Sequence, residues 1–413
     1  MKSFKHFNPI SESKNTHMTH IEDLVLDGGV KGARQAILAL RSLRDMLSGH
    51  AKSPVDVTVK WDGAPAVFAG EDPNDGQFFV AKKGIFAQNP KVYKSHADID
   101  ADTSGDLSKK LKMAFDGLKG LGIKGVIQGD FMFDKADLKG ETINGQKVIT
   151  FHPNTIVYAV PYGSNLEKTI SKADIGIVWH TQYSGATFET MKASFGGDIV
   201  GKLKKSSKVW MVNAELDDLS GNATFTKADN LQVTKLLSEA GKLFRKISSG
   251  VLKELESNKE LNSIVNIYNN SMVRKGQRIK DTKKHAKGLI QFVEERYAKQ
   301  IDKLSKATAI KGREDKRDEL LAFFNKSNLK NLENVFKLQN YLVDSKLIII
   351  NKLNKLSNIG TFVKTTSGFK VTNPEGFVAI DRMDGGAVKL VDRLEFSANN
   401  FSKDIIKGWD NPN

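Results

Sequence analysis

Residues 55–70 read VDVTVKWDGAPAVFAG. Val55, Val57 and Val59 alternate with Asp56, Thr58 and Lys60, the period-two pattern of a strand with one apolar face. Lys60 falls at the end of that strand, on the side opposite the valines, and the chain then breaks into a turn. Gly63 permits close approach of another backbone. Asp62 is placed to contact a sugar hydroxyl or to orient a cation.

An amine in that position does chemistry only when it is neutral. A lysine with a pKa near 10.4 is deprotonated in about one molecule in 2,500 at pH 7, so a nucleophilic one needs neighbouring cations, a metal or desolvation. With that help it can attack a nucleoside triphosphate.

Further segments follow in order. FFVAKKGIF (78–86) sets Lys82, Lys83 and Gly84 at the end of an apolar strand, GVIQGDFMFD (125–134) carries Asp130 after a glycine, and TIVYAVPY (155–162) carries Tyr158 within an apolar run. Far downstream, NPEGFVAIDR (373–382) presents Glu375 ahead of a strand, and GGAVKLVDRLEF (385–396) presents Lys389 fourteen residues after it.

This series resembles the covalent nucleotidyltransferases, the superfamily of ATP-dependent RNA and DNA ligases and mRNA-capping enzymes. Lys60-Trp61-Asp62-Gly63 is similar to motif I (K-x-D-G), and the segments at Asp130, Tyr158, Glu375 and Lys389 are similar to motifs III, IIIa, IV and V. The resemblance covers residues 50–185 and 358–400, and the phrase KWDGAPAV is also similar to tailed-phage proteins of unassigned role. It implies an α+β fold, with an antiparallel-sheet nucleotidyltransferase core of the ATP-grasp-like ligase type. It also implies ATP and Mg2+ as cofactors and lysyl-AMP formation at Lys60. Lys82 or Lys83, together with Lys389, would neutralise the phosphates. Asp62, Gly63 and Asp130 would settle the ribose and nearby cations, Tyr158 would cover the base, and Glu375 would hold the metal directly or through water.

The chain departs from the family at several points. Motif V usually reads K-x-K, whereas Val391 stands at the second lysine position, leaving Arg393 as the substitute phosphate contact. Motif III more often carries Glu than Asp. Neither motif VI nor a C-terminal OB-fold is recognisable, which argues against a replicative DNA ligase and makes RNA the favoured nucleic acid over DNA. Two alternatives stand beside an RNA ligase: an inactive or virion-associated nucleic-acid-binding phage protein on the same fold, and an adenylyltransferase with a different acceptor.

Bulk properties fit a nucleic-acid partner. The 413 residues carry 63 Lys plus Arg against 48 Asp plus Glu, a formal charge of +15 that draws polyanions. With no cysteine there is no disulfide framework and no cysteine-liganded zinc. No stretch reaches membrane-spanning length and the opening MKSFKHFNPISESKN lacks an apolar leader core, so the expected location is cytoplasmic, the host cytoplasm for a phage protein.

Composition divides the chain into an N-terminal helical segment (1–49), a first core part (50–224), a helical basic insert (225–356) and a second core part (357–413). In the first, Gly28, Gly29 and Gly32 suit a turn before an amphipathic helix, since no Walker lysine-serine pair follows. In the insert, apolar residues recur at threes and fours, beginning Leu231, Leu236, Leu237, Leu243 and Phe244. Its run VRKGQRIKDTKKHAKG places Arg274, Lys275, Arg278, Lys280, Lys283, Lys284 and Lys287 against one acid, Asp281, as a candidate nucleic-acid surface. Few aromatics interleave with it, so it is expected to grip backbone rather than stack bases. IKGREDKRDE (310–319) is charge-balanced and reads as a solvated helix surface. His17, His20, His96, His152, His180 and His285 lack metal-binding spacing, and His180 reads as a hydrogen-bonded structural histidine near the site.

Overall fold

The computed structural model describes residues 18–49, 55–214, 225–354, 359–381 and 387–410. The opening stretch, His17 and the segment boundaries at 50, 224 and 356 lie outside the described residues.

Among the described residues three sheets form, and the smallest joins one strand from early in the sequence to two from late in it. In it, β1 (Val55–Lys60) pairs antiparallel with β13 (Gly376–Asp381), which pairs antiparallel with β14 (Ala387–Leu390). The second sheet runs β10 (Val209–Asn213), β8 (Ile175–Ser184), β4 (Val126–Asp134), β2 (Ala66–Glu71), β3 (Phe78–Ala81), with β9 (Lys192–Phe195) beside β8. Its pairings are antiparallel except β10 with β8, which is parallel. The third runs β12 (Gly368–Val371), β11 (Gly360–Thr365), β7 (Ile156–Pro161), β6 (Gln146–Phe151), β5 (Lys139–Ile143), with β15 (Ile405–Ile406) beside β11, antiparallel throughout. The antiparallel α+β expectation therefore holds.

The second sheet is apolar on both faces because each is covered. On one, α3 (His96–Asp102) and α4 (Gly105–Leu118) bury Ile99, Leu111, Ala114 and Phe115 against Ile127, Phe131, Ile177 and Trp179. On the other, Phe133, Val178 and Trp210 meet Phe151, Tyr158 and Val160 of the third sheet, beside the short α5 (Asn165–Ile170).

The rest is helical: α1 (Leu24–Asp27), α2 (Gly29–Leu47), α6 (Lys227–Lys246), α7 (Ser249–Ser257), α8 (Lys259–Arg274), α9 (Thr282–Ile301), α10 (Ala307–Ala322) and α11 (Lys326–Leu353). Sequence composition set 1–49 apart from the insert, but α1 and α2 share one core with α6 to α11. Gly29 and Gly32 serve that packing. A Cβ at Gly32 would sit 2.0 Å from the Leu24 carbonyl oxygen, and Gly29 has φ +53° beside Glu256. They form a helix turn, as expected, and no phosphate loop. Within α6 the buried stripe is Val233, Leu237 and Ala240. Leu231, two residues and about 200° around the helix from Val233, points outward and is exposed. α10 buries only Leu320, consistent with a solvated surface.

Val57, Phe377, Ala379, Val388 and Leu390 of the first sheet also enter the helical core. One face of that sheet is thus fastened to helices, and the other looks across a cleft at the second sheet. From β14 the chain runs into α12 (Arg393–Phe401).

Candidate active site

The alternation in β1 sets the site. With Val57 turned to the helical core, Thr58 and Lys60 face the cleft. Lys60 stands opposite Gly376, Thr58 opposite Val378, and Val378 opposite Lys389. Cross-strand neighbours project to the same face, so Lys60, Val378 and Lys389 share one wall. Gly376 has φ +154°, and a Cβ there would lie 2.5 Å from the Leu390 carbonyl oxygen. Only glycine lets the chain deliver Glu375 beside Lys60.

The turn after Lys60 is tied down on two sides. Ala64 N–H donates to the Phe131 carbonyl at 3.0 Å, and Phe131 N–H donates to the Pro65 carbonyl at 3.0 Å. A Cβ on Gly63 would meet Asp130 Cβ at 2.5 Å and Met132 Sδ at 2.8 Å, which is the close backbone approach its identity suggested. Asp62 is 5% exposed and accepts from Asn154 Nδ2 (2.7 Å), Thr155 N–H (2.8 Å) and Ile156 N–H (3.0 Å). Its carboxylate braces the turn against β7 with three of its roughly four acceptor positions, and Asp62 also lines the cleft.

The resulting cleft has a volume of about 560 Å³, within the range of small-molecule sites. Lys60, Lys83, Asp130, His180, Glu375 and Lys389 line it, together with the aromatic rings of Phe68, Phe86 and Tyr183. Phe86 and Tyr183 lie 4.7 Å apart between ring centroids, and Tyr183 Oη donates to Gln128 Oε1 at 2.7 Å. Six of the expected side chains therefore converge on the cleft from five stretches of sequence. Asp62 is the sixth, reaching it through the turn.

Two expected residues do not face the cleft. Tyr158 is 2% exposed, its ring packed on Trp61 and Phe151, and its hydroxyl accepts from Asp62 N–H at 2.7 Å. The apolar run around it marks a core strand, so it cannot cover a base in this arrangement. Lys82 pairs with Asp102 at 2.9 Å, alongside Lys91 and Tyr93. Of the two adjacent lysines it is Lys83 that lines the cleft. The substitute phosphate contact also fails. Val391 is 2% exposed, and Arg393 donates to Asp23 and Asn270 on the helical side.

His180 was underrated by the sequence. Its Nδ1 is hydrogen-bonded to Thr181 Oγ1 at 2.7 Å, as a structural histidine would be, yet its Nε2 lies 3.8 Å from Asp130 Oδ2 inside the cleft. The signal was its place on a strand beside the one carrying Asp130, visible only once β4 and β8 are paired.

Charge is concentrated around Lys60, which forms an ion pair with Glu375. Burial opposes the Lys60 charge, but Glu375, then Asp130 and Asp62, outweigh it and hold the ammonium above its usual range. Burial pushes the Glu375 carboxyl up to about 7; Lys60 opposes this, while Asp62 and Asp130 add to it. Burial raises Glu375 and the surrounding carboxylates raise Lys60, so the amine is held protonated, the reverse of the lowered pKa expected of a nucleophilic lysine. Lys389 goes the other way, its pKa lowered by burial and by the neighbouring Lys60 and Lys83.

The basic run of the insert is on the helical body. Arg274 and Lys275 end α8, Lys280 is in the connecting loop, and Lys283, Lys284 and Lys287 lie on the first turns of α9, all exposed. Arg278 is half-buried and pairs with Asp344 at 2.7 Å. Among the described residues no helix is long and apolar enough to cross a membrane.

No curated protein and no solved structure matches the chain. A family model described as a family of unknown function (DUF6267) matches residues 15–405, and the chain belongs to that family.

Proposed function

We propose that the chain is an ATP-dependent nucleotidyltransferase that forms lysyl-AMP on Lys60 and passes the adenylate to a nucleic-acid end, with RNA favoured over DNA. The observation that carries this reading is the meeting of Lys60, Glu375, Lys389, Lys83 and Asp130 in one nucleotide-sized cleft. In the first step the Lys60 Nζ–Pα bond forms and the bond from Pα to the oxygen bridging to the β-phosphate breaks. Lys60 starts as an ammonium, so two protons leave it: one passes to the Glu375 carboxylate to free the amine for attack, and the second leaves the Nζ–Pα adduct with pyrophosphate. Lys83 and Lys389 face the phosphates and offset charge that develops on their oxygens. Phe68, Phe86 and Tyr183 offer the base an aromatic wall. The adenylate then moves to a 5′-phosphate, from which a 3′-hydroxyl displaces it.

Mg2+ suits this donor set. Among the described residues no three His, Cys, Asp or Glu side chains converge as an all-protein cage. The ion needs none, taking one or two carboxylates with phosphate oxygens, and Glu375, Asp130 and Asp62 are the carboxylates among the cleft's lining residues. When bound it supplies charge neutralisation at the triphosphate.

Incubation with α-labelled ATP and magnesium tests the reading. Label and an adenylate mass shift are expected on wild type and absent on Lys60→Ala. An unlabelled wild type, or equal label on both, overturns it. One observation favours a second reading, a binding protein that has lost catalysis: Val391 is buried and Arg393 is engaged elsewhere, which leaves the phosphates one cation fewer than the resemblance implies.

A further inference from the structure

A second concavity lies between α8, α9 and the loop joining them, with a volume of about 960 Å³. Lys275, Arg278, Lys280 and Lys284 line it, with Glu295 and Asp281 as its acids. Lys275, Lys280 and Lys284 make no ion pair among the described residues, whereas Glu295 is held by Gln291 Nε2 at 2.8 Å. The groove is therefore positive on balance.

Its floor differs from what the basic run alone suggests. The run contains no Phe, Tyr or Trp, but helix packing brings Tyr268 from α8 and Phe292 from α9 into the lining of the same groove, 5.0 Å apart between ring centroids. Tyr268 is stacked on His285 at 4.2 Å, which fixes its plane. Gly288, inside α9, makes room for it: a Cβ there would meet Tyr268 Oη at 2.3 Å. A mid-helix glycine costs about 1 kcal/mol relative to alanine, and here it keeps the ring seated in the groove. Cations and aromatic rings lining one groove are what an unpaired strand needs, because its bases can stack while its phosphates are neutralised. A duplex keeps its bases inside and would use only the cations.

The groove is also close to the cleft. Leu394 of α12 lines the groove, and Phe396, two residues on, lines the cleft. Two residues are about half a turn, roughly 200° around the helix, so groove and cleft adjoin opposite sides of one short helix.

We propose that this groove binds single-stranded nucleic acid, with a base stacked on Tyr268 and Phe292, and that the ends joined are unpaired. This rests on the reading of the chain as an end-joining enzyme.

The test is fluorescence anisotropy with the full chain and labelled single-stranded RNA, single-stranded DNA and hairpin duplexes of equal charge. Binding is measured at 50 and 200 mM salt, for wild type, Tyr268→Leu and the triple variant Lys275→Ala/Lys280→Ala/Lys284→Ala. Single strands should bind at least about tenfold tighter than duplex, and Tyr268→Leu should lose about tenfold on single strands alone. The triple variant should lower the salt slope by about 2, at roughly 0.7 per phosphate contact. The triple variant changes exposed positions only, so it keeps the test decisive should Tyr268→Leu misfold. Duplex binding as tight as single-strand binding, or an unchanged salt slope, overturns the proposal. Self-adenylation of wild type with ATP alone is read in parallel: label without strand binding defeats the groove, and strand binding without label defeats only the enzymatic reading.

Discussion

Arg393 donates to both carboxylate oxygens of Asp23, at 3.0 and 2.9 Å, across 370 positions of sequence. Beside this pair, Lys346 donates to both oxygens of Glu22 at 2.8 and 2.9 Å, and all four charged groups are largely removed from water. The quartet sits next to the strand that carries Lys389, whose backbone bonds to Thr19 and Ile21 on the same segment. Burial of ions is expensive, and taking one away leaves its partner uncompensated. Lys346→Met should therefore lower the unfolding free energy by about 3–5 kcal/mol, and Glu22→Leu/Lys346→Met should recover much of that loss. Urea titration checks both. Although burial works against it, Lys346 together with His20 and Arg393 lowers the Glu22 pKa to about 2. A carboxylate depressed in the folded state contributes stability above its unfolded value of about 4.5 and loses it as pH falls through 2. Acid unfolding between pH 4.5 and 2 should be blunted in the double variant.

Self-adenylation should depend on pH through the Lys60–Glu375 pair. Between about 7, where Glu375 ionises, and the raised Lys60 value, the pair holds one proton. Moving that proton from Lys60 to Glu375 frees the amine without exchange with solvent, so the rate should be flat across this window. Below 7 a second proton occupies Glu375, and the rate should fall about tenfold per pH unit. With Glu375→Gln the proton has no internal acceptor, and the residual rate should climb with pH with no plateau. Single-turnover labelling from pH 5.5 to 9.5 reads this directly.

Glu375 should also cost stability. Its carboxyl titrates at about 7 in the fold against 4.5 when unfolded. A group whose folded value is raised stabilises fully below its unfolded value, and that contribution is lost as pH rises through 7. The difference amounts to about 3 kcal/mol. Glu375→Gln removes the titrating group but also the partner of Lys60, so wild type should lose stability between pH 5 and 8 while the variant's stability stays nearly flat. Thermal melts at the two pH values provide the comparison, and a variant with the same pH slope as wild type would contradict the origin assigned to the shift.

Gly63→Ala should disable the cleft without touching a reacting group. The added Cβ would meet Asp130 Cβ, Met132 Sδ and the Phe131 carbonyl oxygen at 2.5, 2.8 and 3.0 Å. These atoms belong to β4 in the middle of its sheet and do not move independently. The turn must lift instead, at about 1–3 kcal/mol, carrying Lys60 away from Glu375. Loss of label together with a modest drop in melting temperature is the expected pair of results.

What the sequence disclosed was local. Alternation from Val55 to Lys60 told which face the lysine takes, and the glycine at 63 told that something approaches it. The partner that approaches, β4, and the pairing of β1 with β13 across 316 to 326 positions depend on contacts no local pattern encodes. The same limit explains Tyr158, since an aromatic residue in an apolar strand looks alike whether it faces a ligand or a core. It explains the groove too: Tyr268 is five residues before the basic run begins and Phe292 four beyond its end, and only helix packing joins them.

The contrast between Tyr158 and Phe86 provides a direct test of which ring meets the base. Tyr158→Phe keeps the ring and removes the hydroxyl that accepts from Asp62 N–H. A buried amide left unpaired costs about 1–3 kcal/mol, so this variant should melt lower while its KM for ATP in self-adenylation stays near wild type. Phe86 is half-buried in the cleft beside Tyr183. Phe86→Ala should leave the core intact and raise KM for ATP, since a ring stacked on a base contributes about 1–3 kcal/mol. Stability and KM would then separate cleanly between the two variants. If instead Tyr158→Phe raised KM and Phe86→Ala did not, the base would lie against the third sheet, and the cleft wall of Phe68, Phe86 and Tyr183 would be serving the acceptor.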